Sequence, residues 1–259
     1  QHKAELERMD RLKDHFLATI AHEIRNPLSA VTNVADVLKR RAATYPQISE
    51  ACKILDRQTA HAVRLVDDLM DISRVRSGKI HLRKEPLQIG EVIAVAADSV
   101  RPGAVAAGQT LEIAQAESPL IVYGDFARLT QVFSNLLGNA VRYTPRGGSI
   151  RVYYRREGAH AVIVVSDTGI GIPKHMLGRI FDMFEQADTA VEHSQSGLGI
   201  GLALVRKLLA LHDGEVIADS PGINRGSQFT VRLPLGDRAE ARRTEKLEIR
   251  EDLSQQRAQ

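Results

Sequence analysis

The chain has 259 residues, of which 43% are hydrophobic and 26% are charged, and its 35 basic and 32 acidic residues leave a formal net charge of +3. This length suffices for two ordinary domains, and the balanced charge argues against nucleic acid or a membrane surface as a partner. No apolar run approaches the roughly 20 residues that a membrane-spanning helix needs. A single cysteine, Cys52, excludes a disulfide framework and favours a reducing, cytoplasmic location.

Residues 1 to about 40 predict a long amphipathic helix, because apolar residues recur at steps of three and four from Leu6 to Leu38. His22 lies roughly opposite the apolar stripe, at about 240° when Phe16 is set to zero. Glu23 is its neighbour, and Asn26, one turn later, shares its face. Pro27 follows, so a bend just past the histidine is expected.

An exposed His-Glu pair on a helix is, taken alone, more often solvated surface than a functional site. Zinc is disfavoured, since a zinc-protease helix needs a second histidine where Asn26 stands. A turn over 40–46 and a second helix over 48–75 follow, ending at Ser77-Gly78. A hairpin of two such helices leaves apolar surface uncovered, and two chains could cover it in a four-helix bundle. We therefore expect a homodimer.

After Pro86 the pattern changes to short β-branched runs that alternate with helical stretches, which predicts a layered α/β domain. The predicted strands cover 111–113, 120–123, 150–155, 161–167, 215–219 and 228–233, and the predicted helices cover 126–142 and 201–211. From residue 237 onward the charged and polar sequence predicts a linker or tail without chemistry of its own.

The predicted helix 126–142 carries two asparagines, Asn135 and Asn139, whose carboxamides face one way because they are four residues apart. Amide oxygens suit Mg²⁺, which shares its other ligands with substrate phosphates. Arg142, on the same side, could reach a phosphate. Taken alone, such a pair is more often plain helix surface.

Three further patterns follow in order. Asp167 ends a strand and precedes Gly169 and Gly171, which suits an amine-bearing heterocycle, although an Asp-x-Gly turn is common. The segment Phe181-Asp-Met-Phe184 fits core packing as well as a mobile loop. Gly197, Gly199 and Gly201 precede a helix, where backbone N–H groups can wrap phosphates. The P-loop, dinucleotide and protein-kinase motifs are absent from the sequence.

In this order the patterns resemble the H, N, G1, F and G2 boxes of the bacterial sensor histidine kinases of two-component systems. Gly226-Ser-Gln-Phe229 resembles the last glycine box of that family, and the likeness runs from about residue 10 to 236. The chain departs from the commonest pattern at Ser196, often glycine, and at Asp213, where a second glycine frequently stands.

The resemblance implies an α+β multidomain fold. An all-α helical-hairpin domain over 1–82 would dimerise as a four-helix bundle and carry the phosphoacceptor. An α/β two-layer sandwich over 83–236, of the gyrase, chaperone and histidine kinase type, would bind ATP. Residues 237–259 would form the charged tail or linker. The fragment itself would be soluble, without a membrane segment, and part of a larger sensor.

The resemblance also implies residue roles. His22 would be the phosphoacceptor, Glu23 its general base, and Asn26 the residue that positions water when the partner is dephosphorylated. Phosphate would pass to an aspartate in the receiver domain of a response regulator. Asn139 would hold Mg²⁺, and the residues around ATP would be Asn135, Asn139, Arg142, Tyr143, Asp167, Gly169, Gly171, Gly197, Leu198, Gly199 and Gly201.

Asn135 bears on the reaction type. The related gyrase and chaperone ATPases resemble this chain through a Glu-x3-Asn helix whose glutamate activates water. A carboxamide is no base at pH 7, so hydrolysis should be slow here. Neutral imidazole is a competent nucleophile near neutral pH. Two alternatives stay open: a non-catalytic ATP-binding dimeric signalling module, and an ATPase of the gyrase or chaperone type.

Overall fold

The computed structural model describes residues 82–114, 118–183, 185 and 199–236, together with scattered positions between 24 and 71. The chain divides into two compact units. One comprises Gln1–His81 with Glu192–Leu204, and the other comprises Leu82–Val191 with Val205–Gln259.

Every described position between 24 and 71 is helical, as the periodicity predicts. Leu28, from the first predicted helix, packs against Val66 and Met70 from the second. Val66 and Met70 are 6% and 4% exposed, so this contact is part of a small core. A contact between the two predicted helices is what a helical hairpin requires.

Other apolar positions of the same unit are open in the single chain. Their side chains are between 39% and 57% exposed; they are Ile24, Val31, Val34, Leu38 and Ile54. Four of these five belong to the apolar stripe that predicts the first helix. One chain therefore buries only part of that stripe.

The described residues of 82–236 form seven strands and three helices, joined by a short 3₁₀ turn at Lys174–Met176. The strands are β1 Glu85–Gln88, β2 Thr110–Ala114, β3 Ile121–Gly124, β4 Ser149–Glu157, β5 His160–Asp167, β6 Glu215–Asp219 and β7 Ser227–Pro234. The helices are α1 Ile89–Ala106, α2 Phe126–Tyr143 and α3 Gly201–Leu211. None of the described helices combines the length and hydropathy of a membrane-spanning segment.

The strands form a five-stranded sheet in the order β2-β4-β5-β7-β6 and a separate antiparallel pair of β1 and β3. β2 runs parallel to β4, and the remaining neighbours in the large sheet are antiparallel. Val152 pairs with Val165, and Val165 with Phe229, so these buried residues form one apolar row across three strands.

α1 and α2 pack on each other and build the core with the sheet. α2 buries six residues at helical spacing, which are Leu129, Val132, Phe133, Leu136, Leu137 and Ala140. Fully burying one large apolar side chain contributes about 1.5–3 kcal/mol, so this face alone holds α2 firmly in the domain. A helical layer thus covers an antiparallel-rich sheet, and the predicted layered α/β fold is confirmed.

Most predicted elements of this domain are confirmed within one or two residues, but β1 and α1 are not among those predicted. α1 contains Gly90, Pro102 and Gly103, which are poor helix formers. The place of Gly90 has a tertiary cause: a Cβ there would lie 2.7 Å from the hydroxyl oxygen of Tyr154. Close approach of α1 to β4 therefore favours glycine over a better helix former.

Candidate functional site

The N-terminal end of α2 is fixed by two side chains. The carboxylate of Asp125 accepts hydrogen bonds from the N–H of Arg128 at 3.1 Å and of Arg83 at 3.0 Å. The N–H of Asp125 donates to Nε2 of His212 at 2.9 Å. His212 is 2% exposed, and its Nδ1 donates to the carbonyl of Leu208 at 2.8 Å.

These two bonds require the neutral tautomer of His212 with the proton on Nδ1. Burial lowers the pKa of His212 below its ordinary value, the bond to Leu208 acts in the opposite direction, and the charge of Lys84 lowers it further. The next residue, Asp213, has a φ of +57°, the left-handed conformation in which glycine is least strained. That conformation gives a physical reason for the glycine that frequently stands there in the family that the sequence resembles.

α2 carries three of the predicted site residues. Asn135 and Asn139 are half-buried, and Arg142 is exposed. Nδ2 of Asn135 is buried and has no hydrogen-bond partner among the described residues. An unpaired buried donor costs about 1–3 kcal/mol, so this amide is suited to an acceptor such as a phosphate oxygen.

The C-terminal end of α2 is joined to the loop that follows β5. The carbonyl of Tyr143 accepts a hydrogen bond from the N–H of Ile170 at 3.0 Å. A Cβ at Gly169 would lie 2.5 Å from the same carbonyl oxygen and 2.6 Å from Oδ1 of Asp167. The glycine therefore permits the close contact between the two segments.

The carboxylate of Asp167, at the end of β5, is oriented by three donors. Oδ1 accepts from the N–H of Gly169 at 2.8 Å and of Ser227 at 3.3 Å, and Oδ2 accepts from the hydroxyl of Ser227 at 2.5 Å. A carboxylate held in this way keeps one of its four lone pairs for the amine of a heterocycle. Asp167 also lines a cavity of about 180 Å³ with Ser149, Arg151, Ser166 and Thr168.

Ser227 is a residue whose part in the site was not predicted. It lies within the last glycine box, 60 residues from Asp167, and the sequence gives it no obvious partner. The register of β5 and β7 supplies the reason, since Asp167 and Ser227 are directly paired across the two strands.

The loop after Asp167 is locked to the loop before β7. Gly171 and Gly226 have φ values of +69° and +73°, and a Cβ on either would overlap backbone carbonyl oxygens of the facing segment. The buried hydroxyl of Ser220 accepts from the N–H of Ile172 at 3.0 Å and donates to the carbonyl of Gly226 at 2.7 Å. These bonds hold the backbone beside Asp167 in one conformation.

The structure therefore brings together two of the predicted groups, the end of α2 with Arg142 and Tyr143 and the loop from Asp167 to Gly171. Gly199 has a φ of +69°, and Gly201 begins α3. The remaining predicted site residues lie outside the described residues; they are His22, Glu23, Asn26, Gly197 and Leu198.

For the aromatic segment, Phe181 packs into the core. Its ring is 7% exposed and meets the ring of Phe229 edge to face, with centroids 6.4 Å apart. Arg206 lies over the same ring at 5.8 Å and also pairs with Asp182 at 3.0 Å. Phe184 lies outside the described residues.

Two family models match the chain. Residues 12–78 match the His Kinase A (phospho-acceptor) domain, and residues 124–237 match the histidine kinase-, DNA gyrase B-, and HSP90-like ATPase. The chain is the catalytic core of a sensor histidine kinase. The predicted fold class, a helical domain followed by a sandwich of this ATPase type, is thereby confirmed, and the second domain is an ATP-binding domain.

Characterised relatives are longer than this kinase core. It is 34% identical over 226 residues to the circadian input-output histidine kinase CikA of Synechococcus elongatus, covering 86% of this chain and 30% of CikA. It is 33% identical over 231 residues to the sensor histidine kinase RcsC of Escherichia coli, covering 88% of this chain and 24% of RcsC. The chain thus spans less than a third of the length of either protein.

Solved structures share the fold. Full-length ShkA in complex with AMPPNP superposes with a TM-score of 0.70 at 27% identity, covering 86% of this chain and 46% of ShkA. The mycobacterial sensor histidine kinase MprB superposes with a TM-score of 0.52 at 29% identity, covering 59% of this chain and 97% of the MprB chain.

Proposed function

We propose that this chain is an ATP-dependent protein histidine kinase of a two-component system. It transfers the γ-phosphoryl group of ATP to His22 and then passes it to an aspartate in the receiver domain of a response regulator. The single structural observation that carries the proposal is the junction of α2 with the Asp167 loop. There an oriented carboxylate, a glycine loop and an unpaired amide donor at Asn135 lie on connected backbone.

In this proposal Asp167 accepts a hydrogen bond from the adenine amine, and Gly169 and Gly171 let the flat base approach the backbone. Nδ2 of Asn135 donates to a phosphate oxygen, which gives its buried amide the acceptor that it lacks. Arg142 and Tyr143 line the phosphate side. Residues 197–201 supply backbone N–H groups to the phosphates.

Mg²⁺ fits the donor set of α2, because Oδ1 of Asn139 is a hard oxygen ligand and phosphates supply further oxygens. When bound there, the ion would neutralise charge on the phosphates. Asn139 is half-buried on the same helix face as Asn135. In this proposal the amide oxygen of Asn139 serves the metal ion, and the amide N–H of Asn135 serves a phosphate oxygen.

In the transfer step, a ring nitrogen of His22 forms a bond to the γ-phosphorus while the bond from that phosphorus to the β,γ-bridging oxygen breaks, and ADP leaves. Glu23 accepts the proton that the imidazole gives up. Because Asn135 stands where related ATPases have a glutamate, no carboxylate activates water at this position. Asn26 positions water for removal of phosphate from the response regulator.

The dimer and the domain limits belong to the same proposal. Residues 1–82 form the dimerisation and phosphotransfer domain, 83–236 the ATP-binding domain, and 237–259 a linker. A second copy of the chain covers the apolar side chains that are exposed on the first unit. A cytoplasmic location suits a kinase that draws on cellular ATP.

The proposal is tested by incubating the chain with γ-labelled ATP and Mg²⁺. Protein-bound label that is labile in acid and stable in alkali is expected, as for a phosphohistidine. Asp167→Asn removes the charge of the carboxylate that accepts the hydrogen bond from the adenine amine. A hydrogen bond to a charged group contributes about 1.5–3 kcal/mol, so the Kd for ATP should rise by at least about tenfold. Asp98→Asn, an exposed change on α1, is the matched control.

Other results would support the alternatives. Tight ATP binding without any covalent label would indicate a non-catalytic signalling module. Steady release of phosphate that persists in His22→Ala would indicate an ATPase of the gyrase or chaperone type.

A further inference from the structure

One side chain from outside every recognised motif holds the C-terminal end of α2. Gln109 lies in the connection between α1 and β2 and is 8% exposed. Its Nε2 donates to the carbonyl of Val141 at 3.0 Å and to the carbonyl of Thr144 at 2.6 Å. Both N–H groups of the amide are therefore directed at the end of this helix.

The end of a helix leaves carbonyl groups without intrahelical donors. Here the carbonyl of Ala140 accepts from the N–H of Thr144, and that of Tyr143 accepts from the N–H of Ile170. Gln109 supplies the donors for Val141 and Thr144. The last turn of α2 is thus tied on one side to the loop after Asp167 and on the other to Gln109.

The orientation of the Gln109 amide follows from its partners. A reversed amide would place Oε1 against two carbonyl oxygens, which cannot donate. In the observed orientation Oε1 is buried and has no hydrogen-bond partner in the described part of the chain. Two donated bonds therefore hold the amide in place.

The surrounding backbone supports the same attachment. The N–H of Gly147 donates to the carbonyl of Ala107 at 3.2 Å, and the N–H of Thr110 donates to the carbonyl of Gly148 at 3.0 Å. The connection that carries Gln109 thus runs beside the segment that follows α2. Its position is fixed on both sides of the glutamine.

We propose that Gln109 is a positioning residue for the phosphate-facing end of α2. It acts through Val141 and Thr144 on the last turn of the helix, which carries Arg142 and follows Asn139 directly. This inference rests on the proposed function, since it assigns Gln109 to the binding of ATP with Mg²⁺ rather than to the fold alone.

The test is Gln109→Met in the full chain, because methionine has a similar length and lacks both donors. The Kd for ATP in the presence of Mg²⁺ should rise about five- to tenfold. In metal-free ATP the rise should be smaller, so the factor by which Mg²⁺ strengthens binding shrinks. Gln88→Met, an exposed change at the end of β1 whose side chain makes no cap hydrogen bond to α1, is the matched control and should leave both affinities unchanged.

A purely structural role gives a different result. It would reduce the fraction of chains that bind in a titration, while the Kd and the Mg²⁺ factor of the remaining chains would equal those of the wild type. Either that result or wild-type binding by Gln109→Met overturns the inference. If the methionine variant does not fold, Gln109→Asn, whose shorter amide cannot reach both carbonyls, should show the same loss of the Mg²⁺ factor.

The failure of the proposed function is distinguishable from the failure of this inference. If the wild-type chain itself binds no ATP, the proposed function is wrong and the role of Gln109 with it. If the wild type binds ATP and Gln109→Met binds it equally well with and without Mg²⁺, only the proposed role of Gln109 is wrong.

Discussion

His212 is a buried histidine whose hydrogen bonds require it to be neutral. Its Nε2 accepts a hydrogen bond from the N–H of Asp125, and its Nδ1 donates to the carbonyl of Leu208. Protonation of Nε2 would therefore place its N–H against the N–H of Asp125 at the start of α2. Burial has the largest effect on the pKa of His212 and lowers it. Of the charged groups that face the ring, Lys84 lowers this pKa further, whereas Asp125 and Asp213 raise it, and the net shift is downward.

Because the pKa of His212 is lower in the folded state than in the unfolded state, the neutral ring contributes its full stability at a pH above the unfolded pKa of about 6.5. This contribution is lost as the pH falls from about 6.5 toward the pKa of the folded state. We therefore expect the free energy of unfolding, measured by urea titration, to fall between pH 7.5 and pH 5.5. His212→Gln should remove part of this slope, because glutamine does not titrate. The exposed control His175→Gln should keep it, and an unchanged slope in His212→Gln would refute the argument.

At the residue scale, sequence patterns find groups that act through a local motif. Asp167 follows a β-branched strand and precedes two glycines, so its place at a strand end was predictable. Ser227 and Gln109 act on residues 60 and 32 to 35 positions away. Only the strand register and the path of the α1–β2 connection bring them there.

At the element scale, α2 was predictable and α1 was not. α2 has strong periodicity and an aspartate that caps its first turn. The buried residues of α1 also follow helical spacing, at Ile89, Val92, Ile93, Ala96 and Ala97. Gly90, Pro102 and Gly103 obscure that pattern, and the reason for Gly90 is the Tyr154 hydroxyl, a contact that exists only in the folded domain.

Two of the glycines in the described helices, Gly90 and Gly138, should respond differently to alanine. A Cβ at Gly138 meets nothing within 4 Å, so Gly138→Ala should raise the free energy of unfolding by about 0.5–1 kcal/mol. Gly90→Ala should lower it, because its Cβ would overlap the Tyr154 hydroxyl. In a Tyr154→Phe background Gly90→Ala should become stabilising. Equal gains at both glycines in the wild-type background would contradict this account of α1.

At the scale of the whole molecule, the order of five motifs along the chain indicates the family without any knowledge of tertiary contacts. The proposed dimer is argued from exposed apolar surface instead, since Val31, Val34 and Leu38 are 39%, 57% and 42% exposed in the single chain. Apolar side chains at helical spacing on one face favour a second helical surface over water.

We therefore expect the wild-type chain to sediment as a dimer. Val34→Glu places a charge in the apolar stripe of both chains. Val34 is 57% exposed in the single chain, so losing the burial of that surface costs about 0.9–1.7 kcal/mol per chain and should raise the dimer Kd at least about tenfold. Ile217→Glu, at a similarly exposed position on β6 in the other unit, should leave the dimer intact. Dissociation by both variants, or by neither, would argue against this interface.

The most direct test of the central claim is to map the phosphate on the labelled chain. After incubation with labelled ATP and Mg²⁺, peptide analysis should place the acid-labile phosphate on His22. His22→Gln should abolish the label while retaining wild-type affinity for ATP, and His15→Gln, on the same predicted helix, should label normally. Equal labelling of His22→Gln, or phosphate on another residue, would contradict the claim that this chain is a kinase that phosphorylates its own His22.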